Sequence, residues 1–410
     1  MSSFMGVERV PKLVGRMAAT ALCCGVVLGG TAEVSFAAPP PSPTASATAA
    51  VADGTSVPLP NMRTWTWVVA DAETGAVLAG RDWRWPLPPA STMKTLTALT
   101  LVDRLRLDSQ YRVSKADTEA EGSRVGIKAG SQYQVSDLFN GMLMPSGNDA
   151  ANALASAYGG MERTTEAMNA EAQRLGAEQT VAKNTSGLDE PGQMSSAYDL
   201  ALIMRESLKS PELRRMYLQH DVQFPAEEPT DPNEERKTIK IWTENRLVLN
   251  YHDGAIAGKT GFTSQAGRTF VGAMERDGRT LIVAVMRSAE STERAVTRVF
   301  DWTFANYDKL EPVDQLVDPG PKPEVAAQPA VTYDEGGVSN LAEISPEVAA
   351  ASGPRSMSLL LAFILAAIAG VIIWRRRVVA AANQRRRSRP ARGADSSNLD
   401  LRDHDKSTTA

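Results

Sequence analysis

Apolar and polar positions change period several times along the chain, and the changes outline an α+β domain. Thr64-Trp65-Thr66-Trp67-Val68-Val69 alternates and is rich in β-formers. Residues 71–75 supply turn chemistry, and Ala76-Val77-Leu78-Ala79 returns, which predicts an antiparallel hairpin. From Thr95 to Val102 the chain is apolar or Thr nearly all round, as in a helix buried on every side. Residues 111–135 are polar and punctuated by Gly. A capped, buried helix is expected over 135–144, broken by Pro145-Ser146-Gly147-Asn148. Further helices are expected over 149–158, 162–175 and 195–208, the last with Tyr198, Leu200, Ala201, Ile203 and Met204 at i, i+3, i+4 spacing. Residues 222–237 are acidic and contain Pro, the composition of an exposed excursion. Residues 255–261 read as a strand ending in a turn. Two strands over 268–274 and 280–286 are joined by a turn through 275–279. A helix over 291–306 carries an apolar stripe of Ala295, Val299, Trp302 and Phe304. Strands, then helices, then strands and a helix predict an antiparallel sheet completed from both chain ends, with a helical lobe inserted between. The groove between lobe and sheet is the natural place for a site.

The segments outside this domain have other signatures. Arg9, Lys12 and Arg16 precede an apolar run over 17–30, and Ser35-Phe36-Ala37 fits a signal-peptidase site, so residues 1–37 read as a secretory signal. Residues 38–60, rich in Pro, Ala, Ser and Thr, read as a linker, and residues 61–308 as one globular domain. Residues 309–356 read as a second linker, with no room for a further domain. Residues 357–374 are apolar over a length that spans a bilayer, and the Arg-rich residues 375–410 form a basic tail. Basic residues stay on the cytoplasmic side. The expected location is therefore the cell membrane, single-pass, with the domain extracellular and the C-terminus cytoplasmic.

Composition removes several chemistries. The chain has 410 residues, 43% hydrophobic and 22% charged, and its two cysteines, Cys23 and Cys24, both lie in the leader. The exported part then has neither disulfide nor thiol nucleophile. His220, His252 and His404 are scattered without metal-ligand spacing, so no metal or other cofactor is expected. Of the net charge of −4, residues 1–37 contribute about +1 and residues 375–410 about +6, leaving about −11 between them. An acidic domain argues against nucleic acid as a partner.

The candidate chemistry starts at Ser91 and Lys94. Positions i and i+3 share a helix face, so hydroxyl and amine can touch. A lysine facing into a buried helix loses hydration, its neutral form becomes accessible, and it can take the proton from Ser91. The same four residues also fit a capped helix with a solvated lysine. Context adds weight: Ser146-Gly147-Asn148 sits in a loop between helices, and Lys259-Thr260-Gly261 ends a strand beside a hairpin. Ordered this way, Ser-x-x-Lys, Ser-x-Asn and Lys-Thr-Gly form the signature of penicillin-recognising serine enzymes.

The flanks narrow this. Pro89-Ala90-Ser91-Thr92-Met93-Lys94, Met144-Pro145-Ser146-Gly147-Asn148-Asp149-Ala150-Ala151, Asn184-Thr185-Ser186-Gly187-Leu188 and Gly258-Lys259-Thr260-Gly261-Phe262-Thr263 resemble the D-alanyl-D-alanine carboxypeptidases, which are low-molecular-mass penicillin-binding proteins. Gly254-Ala255-Ile256-Ala257-Gly258 looks closest to the actinobacterial members, and the resemblance covers about residues 60–308. It implies a β-lactamase/penicillin-binding-protein-like fold. It also implies a Ser91 nucleophile with Lys94 as proton acceptor, Ser146 as proton relay and Asn148 as a brace for Lys94 and the substrate amide. Lys259 would supply positive charge, and the backbone N–H groups of Ser91 and Phe262 an oxyanion hole. Implied partners are the pentapeptide stem of peptidoglycan and β-lactams. Thr260 and Thr263 are candidate donors to the substrate carboxylate. The family often places an Arg near the start of the last helix; here Thr292 falls close by, with Arg287 and Arg294 on either side, and Arg294 is the candidate. Asp189-Glu190-Pro191 lacks the surroundings of a β-lactamase water-activating Glu. Trp65, Trp67, Trp83 and Trp85 are explained by strands and packing rather than by a sugar platform. The alternatives are a β-lactamase of the same fold and a non-catalytic wall-binding or sensor protein.

Overall fold

The computed structural model describes residues 57–330, apart from 232, 325 and 326, and short strands at 49–50, 333–334 and 337–338. The expected signal over 1–37, the span over 357–374 and the tail over 375–410 lie outside the described residues, as does most of the linker over 38–60. Among the described residues no helix is long and apolar enough to cross a membrane.

The main sheet begins with β1 (Thr64–Asp71) and β2 (Ala76–Arg81) and is completed by β5 (Ala255–Thr263), β6 (Gly267–Arg276) and β7 (Arg279–Ser288). Its order is β2-β1-β7-β6-β5, every neighbour antiparallel. Between the halves lie α1 (Lys94–Val102), α2 (Val135–Leu143), α3 (Asn148–Tyr158), α4 (Met161–Arg174), α5 (Ala197–Ser207), α6 (Pro211–Leu218) and the hairpin of β3 (Asp221–Pro225) with β4 (Thr238–Trp242). A final helix, α7 (Thr292–Asn306), follows β7. This is the α+β arrangement the pattern predicts.

Strand alternation explains why the sheet is covered on both faces. Val68, Ala70, Ile282, Ala284 and Met286 join one core with α1 and α5. Their neighbours Trp67, Val69, Leu281, Val283 and Val285 join a second core with Ala295, Val296, Val299 and Phe300 of α7. Each Val, Leu, Ile, Met or Phe among them contributes roughly 1.5–3 kcal/mol on burial, and a one-residue slip of β7 would exchange both faces at once. The stripe of α7 is thus Ala295, Val296, Val299 and Phe300; Trp302 and Phe304, expected within it, sit at its margin. All nine residues of α1 are buried.

Several expectations need correcting. The strand over 255–261 does not stop at Gly261 but pairs with β6 through Thr263. The excursion over 222–237 begins in a strand and leads into another at Thr238, because Val222 and Phe224 supply β-formers that pair with Ile241 and Ile239. Helix α6 is an element beyond those the pattern predicts; Ser210 caps it and Pro211 opens it. Residues 310–324 and 327–330, expected as linker, lie along the domain: Leu310, Leu316 and Ala330 are buried, and Asp314–Gln315 pairs with β2. Polar spacing hides these three apolar anchors in the sequence.

Candidate active site

Ser91 lies in a 3-10 turn, Ala90–Met93, that runs directly into α1. Thr269 Oγ1 of β6 donates to Pro89 O at 2.8 Å and ties the turn to the sheet. Ala90 has a left-handed φ of 49°, a conformation that strains a residue with a Cβ and persists only where the surroundings fix it. Those surroundings are close: a Cβ on Gly187 would come 1.8 Å from Ala90 O. A Cβ on Gly261 would come 2.8 Å from Ser91 N and 2.4 Å from Thr269 Oγ1. Only glycine lets β5 pass so near the Ser91 turn.

Lys94 stands at the centre. Its side chain is fully buried, and Nζ lies 2.9 Å from Ser91 Oγ, 2.7 Å from Asn148 Oδ1 and 2.7 Å from Ser186 O. Burial, and then the charge of Lys259, push its pKa well below the ordinary lysine value, against weaker pulls from Glu244 and Asp149. A neutral amine has two N–H donors and one lone pair. With both donors aimed at Asn148 and Ser186, the lone pair faces Ser91, whose hydroxyl can donate to it. The geometry is that of a serine nucleophile beside its base.

Asn148 opens α3, and its Nδ2 donates to Glu121 O at 2.6 Å, so this amide braces the loop as well as Lys94. The next residue, buried Asp149, accepts the N–H groups of Val125, Gly126 and Ile127 at 2.9, 2.7 and 3.2 Å and folds residues 121–127 over the helix start. Ser146 occupies the break between α2 and α3 with a φ of 64°. Lys259 is also buried; its Nζ donates to Thr260 O at 2.9 Å and lies 3.9 Å from Glu244 Oε2. Burial lowers its pKa to about 8, with Glu244 pulling the other way, so Lys259 is an ammonium below about pH 8 and loses that charge above it.

The groove between sheet and lobe has a volume of about 910 Å³, and Ser91, Ser146, Glu244, Thr260, Arg268 and Arg294 are among the residues lining it. Lys94 is thus within hydrogen-bond reach of both Ser91 and Asn148, and Ser146, Thr260, Gly261 and Phe262 face the same groove. Arg294 lies exposed on the rim, beside Thr292. Arg287 is elsewhere, its guanidinium 4.0 Å from the Trp65 ring centre. Thr263, expected to donate to a substrate carboxylate, is not among the lining residues. Its hydroxyl donates to Asp189 Oδ1 at 2.8 Å and accepts the Ala266 N–H at 3.0 Å. Glu190 is exposed and also absent from the lining, and His220 and His252 pair with Asp221 and Glu293. Trp67 is buried in the core and Trp83 Nε1 donates to Asp314, as packing tryptophans do. Among the described residues no group of three or more His, Cys, Asp or Glu could hold a metal ion.

Sequence reasoning gave no role to Ser186, Glu121, Glu244 or Arg268. The first two act through backbone carbonyls, which carry no residue signature. Glu244 and Arg268 lie outside the three motifs, and the fold turns both toward the groove.

A sheet closed from both chain ends, an inserted helical lobe and a groove between them define the penicillin-binding-protein and β-lactamase class of fold. The solved structure of the Streptomyces K15 DD-transpeptidase shares it, at 25% identity and TM-score 0.57 over 61% of this chain and 100% of that one. The family model of the D-alanyl-D-alanine carboxypeptidases, peptidase S11, matches residues 53–290, and the chain belongs to that family. It is 42% identical over 258 residues to D-alanyl-D-alanine carboxypeptidase DacB2 of Mycobacterium tuberculosis, covering 61% of this chain and 85% of the relative. A solved D-alanyl-D-alanine carboxypeptidase from the same organism matches at 40% identity and TM-score 0.58, over 65% of this chain and 98% of that one.

Proposed function

We propose that the protein is a serine D-Ala-D-Ala carboxypeptidase that removes the terminal D-Ala from peptidoglycan pentapeptide stems and so limits cross-linking. One observation carries the reading: the buried amine of Lys94 has two acceptors besides Ser91 Oγ, which leaves its lone pair for the serine proton. Ser91 Oγ attacks the carbonyl of the penultimate D-Ala while Lys94 takes its proton. The N–H groups of Ser91 and Phe262 receive the oxyanion; one such donor contributes about 2.7–4 kcal/mol in comparable sites. Ser146 passes a proton to the leaving nitrogen, the C–N bond breaks and D-Ala departs. Water then cleaves the ester and returns the proton to Ser91. The Lys259 ammonium and the Thr260 hydroxyl face the substrate's terminal carboxylate, with Arg294 on the rim. A β-lactam acylates the same Ser91, and the exposed position of Glu190 supports a long-lived adduct rather than β-lactamase turnover.

Purified protein given a pentapeptide stem should release free D-alanine, and Ser91→Ala should abolish both that release and covalent labelling by a fluorescent penicillin. Release that persists in Ser91→Ala would sink the reading. The leader, the apolar stretch and the Arg-rich tail support anchorage by one C-terminal span with the catalytic domain outside. Protease added to intact cells should then digest the domain and spare the tail; a domain protected until lysis would reverse that orientation.

A further inference from the structure

Glu244 is a charged residue of the groove to which the mechanism gives no part. It lies between β4 and Asn245, and its N–H donates to Met144 O at 2.9 Å, which ties it to the loop that carries Ser146. Its side chain is 48% exposed. Among the described residues the carboxylate has two polar neighbours, Lys259 Nζ at 3.9 Å and Thr260 Oγ1 at 3.5 Å. No arginine and no backbone N–H holds it. Neither contact is tight, so the side chain is free to turn outward.

Those two neighbours are the groups that face a substrate carboxylate. Any carboxypeptidase substrate ends in one, and Thr263, the other hydroxyl of the strand, is committed to Asp189. Two carboxylates at one ammonium and one hydroxyl repel each other. We propose that Glu244 is a specificity-determining residue: a built-in carboxylate that sits at the Lys259–Thr260 seat and leaves it before the substrate's terminal carboxylate can enter. The inference rests on the carboxypeptidase reading of this site. It also accounts for a buried lysine whose one nearby opposite charge is Glu244, since Glu244 alone opposes the effect of burial on Lys259. Glu244 thus favours the ammonium form of Lys259.

The test compares Glu244→Gln with the wild-type protein at about pH 6, below the pKa of about 8 that Lys259 has beside Glu244. The substrates are a D-Ala-D-Ala-terminated peptide and an N-acyl-D-alanine thioester whose leaving thiol is uncharged. For the peptide the variant should show a KM lower by about 3- to 10-fold, with kcat changed less than twofold. For the neutral thioester the KM should move much less. Glu244→Asp, which retains the charge, should stay nearer to wild type. An unchanged or raised KM for the peptide, or an equal shift for both substrates, overturns the proposal. Acylation by benzylpenicillin and by its methyl ester gives a second readout that needs no D-Ala release: the variant should accelerate acylation by the free acid and not by the ester. If the wild-type protein releases no D-Ala, the carboxypeptidase reading fails, while the penicillin pair still decides the role of Glu244.

Discussion

Lys94→Met is expected to slow penicillin acylation of Ser91 by about 10²- to 10⁴-fold, the range a positioned general base supplies. Met has nearly the length of Lys and fits an apolar environment, so folding should survive in a side chain already 0% exposed. What disappears is the acceptor 2.9 Å from Ser91 Oγ. Asn148 Oδ1 and Ser186 O also lose their donor, which makes Lys94→Met a loss of both base and brace. Stopped-flow acylation with a reporter β-lactam measures the rate. The wild-type pH profile serves as a control. Acylation should fall as pH rises through about 8, because Lys259 loses its ammonium there. A Lys94→Met rate within tenfold of wild type would remove Lys94 as the base.

Gly187→Ala should be the most damaging single methyl group in the domain. The residue has a φ of 83°, and its new Cβ would lie 1.8 Å from Ala90 O and 2.5 Å from Ala90 C. The left-handed backbone costs Ala about 1–2 kcal/mol, and overpacking a filled site adds about 1–3 kcal/mol. Together these predict a Tm lower by roughly 5–15 °C, read by thermal denaturation. Activity should fall further than stability alone explains. The clash pushes Ser186 O away from Lys94 and Ala90 away from its strained φ, and both set the position of Ser91. A variant with near-native Tm and acylation rate would show that this packing is softer than the coordinates imply.

Much of the site is legible in the sequence because its chemistry lives in side chains at fixed spacing. Ser91 and Lys94 are one helical turn apart, Ser146 and Asn148 flank a helix break, and Lys259 lies on a strand of the sheet. The illegible parts share a physical cause. Ser186 and Glu121 contribute carbonyl oxygens, which every residue possesses. Thr263 has the right hydroxyl but gives it to Asp189, 74 positions away in the chain. Glu244 reaches Lys259 only because β4 leads into the segment beside β5. The same holds for the fold: hairpins follow from alternation, whereas residues 310–324 and 327–330 adhere through Leu310, Leu316 and Ala330, which are too sparse to form a period.

The middle of the sheet joins Thr64–Asp71 to Arg279–Ser288, with Thr64 opposite Ser288. A nascent chain therefore carries its first hairpin through the synthesis of the entire helical lobe with one long edge open. Contacts this remote in sequence close slowly, and Ser91 and Lys259, carried by opposite ends of the domain, meet only once the strands after the lobe have been made.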